Sequence, residues 1–219
     1  MTGPRLIPSR PVCVLSTASM LSGTSDAEEE LLIPPDNFAQ VNYGVYRSGF
    51  PTKRNFAFLR TLHLRSLVYL CPEDYPPSHL AFLAQHNTAL HHIPLQGNKE
   101  PFIDIPPHLM TAALSLLLSP AHLPLLIHCN KGKHRTGCLV GVYRKAGGWS
   151  VTAVLDEYRR FSRPKERAMD MQFMELFDVR EAVELGRRRE KEERERRRRL
   201  TAQSAGTGEV MSQHVRSVP

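Results

Sequence analysis

Between Leu125 and Gly141 the chain reads LLIHCNKGKHRTGCLVG, with one thiol, Cys129, set between an apolar run and the cations Lys131, Lys133, His134 and Arg135. A thiol embedded in positive charge suits attack on an anionic phosphorus. The positive field favours the thiolate, which is the nucleophilic form of cysteine. Arg135 carries a planar fork of donors that matches two phosphate oxygens. Gly132 supplies a backbone that turns sharply with no Cβ in the way. The chemistry expected of such a string is transfer of a phosphoryl group to sulfur, giving a phosphocysteine that water then hydrolyses.

That chemistry needs a scaffold, and the pattern around the string provides one. A strand ending at His128 and a helix opening near Thr136 leave Cys129 to Arg135 as the connecting loop, whose amides can converge on an anion at the helix N-terminus. Thr136 is a helix N-cap candidate. His128, at a buried strand end, is read as a loop-orienting hydrogen-bond partner more than a proton donor. Upstream, VNYGVYRS suggests a strand or hairpin, NFAFLRTL a short helix, SLVYLC a buried strand, PPSHLAFLAQHN a proline-led helix and LHHIPL a further strand. After the loop QGNKEPFIDIPP come a helix through Leu118 and the strand PLLIH. The last third is helical, with apolar residues at 151, 154, 155, 158 and 161 in one stretch, and Met169, Phe173, Leu176 and Phe177 in the next. Strands interleaved with helices predict an α/β sandwich.

The domain expected from this pattern spans residues 31–182. Residues 1–30, rich in Pro, Ser, Gly and Thr, read as a disordered tail, with a transit peptide as the alternative because the first 25 positions lack acids. Residues 183–219 read as a charged helix that gives way to disorder beyond Thr201. Of the formal net charge of +7, Arg187–Arg199 supplies five units, nine cations against four glutamates. Mixed signs in so short a run suit a solvated helix face, and without interleaved aromatics it does not resemble a nucleic-acid surface, so no nucleic-acid partner is expected. The four cysteines, Cys13, Cys71, Cys129 and Cys138, follow no paired metal spacing and no secreted disulfide framework. A reducing compartment follows, the cytoplasm with the nucleus as a second location. No apolar run is long enough to span a membrane. Cys138 is expected in the core. Cys71 is weighed between a core thiol and a reversible disulfide partner for Cys129.

The string His128-Cys129-x5-Arg135-Thr136 resembles the signature of cysteine-dependent phosphatases. The segments YRSGFP, GNKEPF, HCNKGKHRTGCLVG, WSVTAVLDEYRRF and MQFMELFD, in this order, look like the plant and fungal atypical dual-specificity phosphatases, relatives of which hydrolyse inositol pyrophosphates. The likeness covers roughly residues 33–178. It implies a compact dual-specificity phosphatase fold, an α/β domain with a central sheet flanked by helices, and needs neither metal nor cofactor. It makes Cys129 the nucleophile, Arg135 the clamp on the transition state, and the Thr136 hydroxyl a contact to the leaving thiolate. Phosphate binding carries over onto Asn130, Lys131, Gly132, Lys133 and His134, and substrate contact onto Gly97, Asn98 and Lys99. Arg47 and Ser48 in YRSGFP read equally as structural or functional.

Charge then narrows the substrate. Lys131, Lys133 and His134 place up to three further cations around one pocket, which favours a polyanion over a phosphotyrosine. Lys99 and the patch Arg159, Arg160, Arg163, Lys165 and Arg167 either extend that field or form a solvated helix end. The expected partner is an inositol pyrophosphate, 5-diphosphoinositol polyphosphates being preferred. Phosphoproteins and phosphoinositide head groups are the alternatives. Glu100 and Asp104 are the candidate general acids, although the family usually carries a neutral residue where Asp104 stands. A phosphate leaving group, with a last pKa near ~6, can depart without a proton.

Overall fold

The computed structural model describes residues 31–97 and 105–214, all within one unit, Leu31–Pro219. Five short strands form one mixed sheet: β1 (Ala39–Asn42), β2 (Val45–Ser48), β3 (Ser66–Tyr69), β4 (Ala89–His92) and β5 (Leu125–His128), in the order β1-β2-β5-β3-β4. β5 lies in the middle, parallel to β2 and β3, and only β1 runs antiparallel, joined to β2 by a turn in which Gly44 has φ +69°. All four residues of β3 and of β5 are buried. Strands covered on both faces cannot alternate polar and apolar residues, so SLVY and LLIH appear as continuous runs.

Register decides where the site can be. Ser48 and Tyr69 both pair with His128, so β2, β5 and β3 end level with one another. The segments that leave them, Gly49–Phe50, Cys129–Lys133 and Leu70–Cys71, therefore emerge together at the carboxyl edge of the sheet, where open α/β sheets bind ligands.

Seven helices surround the sheet: α1 (Phe56–Thr61), α2 (Pro77–Gln85), α3 (Pro107–Leu118), α4 (His134–Ala146), α5 (Val151–Ser162), α6 (Ala168–Leu176) and α7 (Arg180–His214). Proline opens α2 and α3 at a position whose amide has no helical partner, and Ser150 caps α5 by accepting from the Ala153 amide. α4 is buried from Thr136 to Val142 and packs against α3, α5 and α6. It begins at His134, two residues before the expected start, because the Lys133 carbonyl already accepts from the Gly137 amide.

The carboxyl end departs from expectation. α7 packs along α3 beyond residue 182: Gly186 lies against Leu118, and Arg189 donates to Ser115 Oγ at 2.8 Å. Glu190 and Arg194 pair at i,i+4 on its exposed side. The helix then continues to His214, past Thr201, where disorder was expected. Docking of the first turns on α3 removes the nucleation cost, after which each added residue needs only propagation.

Candidate active site

Three tethers shape the loop after β5. The Asn130 carbonyl accepts from the Phe50 amide at 2.9 Å, the Lys131 carbonyl from Asn37 Nδ2 at 2.9 Å and the Gly132 carbonyl from Arg47 Nη2 at 2.8 Å. In a trans peptide the carbonyl and the following N–H point in opposite directions. Tying three successive carbonyls to the β1–β2 side therefore turns the amides of Lys131, Gly132 and Lys133 the other way. Gly132 makes the loop possible. Its φ is +66°, and a Cβ there would lie 2.6 Å from Gly49 N and from Ser48 C and O.

On the opposite side of the loop lies a cavity of about 280 Å³. Cys129, Lys131, Lys133, His134 and Arg135 line it from the loop and the first turn of α4. Pro72, Glu73, Gln96 and Gly97 close another side, and Arg167 a third. Cys129, 3% exposed, sits at the base of the loop. The first-turn amides of α4 have no helical acceptors, so a helix N-terminus and a ring of cations converge on one volume.

Arg135 is anchored while part of its fork stays available: Nη1 donates to the Leu95 carbonyl at 3.1 Å and, more weakly, to Leu70 at 3.5 Å. Thr136 Oγ1 is buried and has no hydrogen-bond partner among the described residues. His128 is fully buried behind Cys129. Its Nδ1 faces the Cys129 carbonyl at 3.3 Å, and because a carbonyl only accepts, Nδ1 carries the proton and Nε2 accepts from the Tyr75 hydroxyl at 3.2 Å. Burial pushes its pKa down to about 3 against the opposing hydrogen bond to Cys129, so the ring is neutral at physiological pH.

The other cations of the loop are held in place. Lys133 Nζ donates to the Arg163 carbonyl at 2.8 Å. His134 Nδ1 lies 3.1 Å from Asp170 Oδ2 and 3.2 Å from the Tyr158 hydroxyl, which itself donates to Asp170 at 2.6 Å. Burial, then the bond to Asp170, pushes the Tyr158 phenol far up. Asp170 and Tyr158 are absent from the sequence-based candidates. Nothing in the spacing of α5 and α6 connects them to position 134.

Arg47 and Asn37 are the other residues that sequence reasoning left without a role. Arg47 is 0% exposed, with its guanidinium carbon 3.8 Å above the Phe161 ring. Burial lowers its pKa to about 10, so it remains charged at neutral pH. Ser48 is structural, donating to the Gly49 carbonyl at 2.7 Å. The basic patch divides: Arg167 reaches the cavity, Arg159 pairs with Asp156 at 3.0 Å, and Arg163 contributes its carbonyl to Lys133. Cys71, Cys129 and Cys138 are free thiols, and burial pushes the Cys71 and Cys138 thiols up. Asn98, Lys99, Glu100 and Asp104 lie outside the described residues. Among the described residues no cluster of His, Cys, Asp and Glu could hold a metal ion, and no helix is long and apolar enough to cross a membrane.

Known proteins share this arrangement. The model of the tyrosine phosphatase family matches residues 32–194. Inositol diphosphatase SIW14 of Saccharomyces cerevisiae is 53% identical over 148 residues, 67% of this chain and 53% of its own length. The chain thus spans about half of that relative. Inositol diphosphatase DSP1 of Oryza sativa subsp. japonica is 50% identical over 153 residues, 70% of this chain and 69% of its own. The crystal structure of the core catalytic domain of the PP-IP phosphatase SIW14 from S. cerevisiae, in complex with citrate, superposes with a TM-score of 0.69 at 48% identity, covering 73% of this chain and 96% of that one. A cysteine-to-serine variant of P. aeruginosa TpbA, in complex with pTyr, shares the fold at a TM-score of 0.55 and 22% identity over 72% of this chain and 96% of its own.

Proposed function

Given that this chain belongs to the tyrosine phosphatase family, we propose that it is a cysteine-dependent hydrolase that removes the β-phosphate of an inositol pyrophosphate, with a 5-diphosphoinositol polyphosphate as preferred substrate. The observation that carries this reading is the single cavity that holds the Cys129 thiol together with Lys131, Lys133, His134, Arg135 and Arg167. Such a density of cations suits a ligand with many phosphates. The resemblance to proteins named inositol diphosphatases supports the same choice.

Cys129 Sγ attacks the β-phosphorus, the P–O bond to the α-phosphate breaks, and a phosphocysteine forms. Arg135 and the amides of Lys131 to Arg135 bind the equatorial oxygens as charge builds on them. The electron pair leaves on the α-phosphate of the inositol hexakisphosphate product. With a last pKa of about 6 that group needs no proton, so neither Glu100 nor Asp104 has to act as an acid. Water then attacks the phosphocysteine, phosphate leaves, and Thr136 donates to the returning thiolate. His128 holds the loop and, being neutral, donates no catalytic proton. The protein acts in the cytoplasm and the nucleus.

Phosphate release from 5-diphosphoinositol pentakisphosphate, its 1-diphospho isomer, inositol hexakisphosphate, a phosphotyrosine peptide and a soluble phosphoinositide, by wild type and Cys129→Ser, tests the reading. Preference for the 5-diphospho isomer, stopping at the hexakisphosphate and lost in Cys129→Ser, is expected. Preference for the peptide or the lipid would refute the substrate, and activity in Cys129→Ser would refute the mechanism.

A further inference from the structure

Two of the three carbonyl tethers beneath the loop use neutral donors, the Phe50 amide and Asn37, while the third uses a guanidinium. A neutral group would tie a carbonyl as well, and a buried cation carries a desolvation cost that an amide avoids. Arg47 also lacks the compensation a buried arginine usually finds. Its Nε and Nη1 have no hydrogen-bond partner among the described residues. The nearby carboxylate of Glu157 is held by Arg144, at 2.8 Å from Nε and 3.3 Å from Nη2. The Phe161 ring covers one face of the guanidinium. What the charge does meet is Cys129, close enough for each to stabilise the charged form of the other.

We propose that Arg47 is a positioning residue of the phosphoryl-transfer site: it pins the Gly132 carbonyl, so that the Lys133 amide faces the anion, and its buried charge keeps Cys129 a thiolate. The cations inside the cavity cannot perform the second task alone. When a polyanionic substrate enters, its negative charge offsets Lys131, Lys133 and Arg135 and works against a neighbouring thiolate. Arg47 does not line the cavity, so the substrate cannot reach it and its field on the sulfur persists through binding.

Other charges act on this pair. Arg144, Arg160 and Glu157 face Arg47, while Cys71 and Cys138, both pushed up by burial, face Cys129 together with neutral His128 and cavity-lining Arg135 and His134. None of these combines full burial with a positive charge on the far side of the loop from the cavity.

The inference rests on Cys129 being the nucleophile, so its test avoids the natural substrate. The full chain is alkylated with iodoacetamide across a pH series, with modification of Cys129 followed by peptide mapping, and orthovanadate binding is measured by calorimetry. Arg47→Met is expected to move the alkylation midpoint of Cys129 upward by about one pH unit, the scale of removing one nearby opposite charge. Arg47→Lys keeps the charge but not the fork, so it should leave the midpoint within about a third of that shift and weaken orthovanadate about tenfold. Asn37→Ala should weaken orthovanadate with no change in midpoint. An unmoved midpoint in folded Arg47→Met, or an equal shift in Arg47→Lys, overturns the electrostatic role. If Arg47→Met does not fold, Arg47→Lys decides, because undiminished orthovanadate binding there overturns the pinning. Absence of pyrophosphatase activity in a wild type with these alkylation properties would refute the substrate reading alone.

Discussion

Gly132→Ala tests whether the loop after β5 has any freedom to move. At φ +66° an L-residue costs about 1–2 kcal/mol relative to glycine. The added methyl would also lie 2.6 Å from Gly49 N and from Ser48 C and O, where contact begins near ~3.5 Å. Those atoms are backbone at the end of a strand paired with β5, so they cannot rotate away as a side chain would. Relieving the clash therefore displaces the loop by most of an ångström, for about 1–3 kcal/mol more. The total of about 2–5 kcal/mol predicts a melting temperature lower by about 4–20 °C for a chain of this size. Activity should fall further than stability, because displacement by about 1 Å at a transfer site costs on the order of a hundredfold. The assay is phosphate release from 5-diphosphoinositol pentakisphosphate at 25 °C, with a calorimetric melt of the same sample. Activity within threefold of wild type and a melting temperature within 2 °C, both order-of-magnitude limits set by these costs, would refute the picture of a loop locked against β2.

Two further predictions concern the residues that flank the loop. His128 is neutral in the folded chain down to about pH 3, while its unfolded counterpart takes a proton near ~6.5. Protons therefore favour the unfolded state as pH falls through that window, and this residue withdraws up to ~1.4 kcal/mol of stability per pH unit. Between pH 6.5 and pH 5, urea denaturation should show wild type losing about 2 kcal/mol more than His128→Gln, and equal losses would contradict a buried neutral ring. Thr136→Val removes a hydroxyl that has no partner among the described residues, so its melting temperature should hold or rise. Turnover should slow about tenfold, with a burst of hexakisphosphate ahead of phosphate in rapid-quench experiments and recovery in Thr136→Ser, as loss of about one hydrogen bond to a charged group implies; a melt lowered with no burst would make the hydroxyl structural.

The strand–loop–helix unit was legible because its signals are local. A four-residue apolar strand, a glycine in the turn and a helical pattern after it sit within twenty positions, and the structure places Cys129, Lys131, Lys133, His134 and Arg135 on one cavity. What the sequence left open depends on register. Arg47 could not be assigned from YRSGFP, since only the parallel pairing of β2 with β5 brings its guanidinium beneath Gly132. Asn37 and Asp170 lie ninety-four and thirty-six positions from their partners, and their spacing repeats no helix or strand period. The early start of α4 was hidden too, because Lys133 and His134 have no preference that marks a cap, and the bond from Gly137 to Lys133 decides the boundary. The length of α7 escaped for a different reason: its first turns gain stability from α3, a tertiary contact that no local propensity encodes.

The site separates two demands that a polyanion makes on a nucleophilic thiol. Substrate capture needs many cations facing solvent, and here Lys133 and His134 are steadied from behind, by the Arg163 carbonyl and by Asp170 with Tyr158, so less side-chain entropy is lost on binding. Nucleophilicity needs positive charge that the substrate cannot neutralise. Amides held by outward carbonyl tethers answer part of that need, because they carry no net charge to be cancelled and do not reorganise as the oxyanion develops. A buried guanidinium answers the rest. On this division, substituting a cavity lysine should raise KM with little effect on kcat, whereas Arg47→Met should lower kcat even at saturating substrate. The two classes of residue differ in which side of the loop they occupy, and that placement follows from β2 and the cavity lying on opposite sides of the chain that leaves β5.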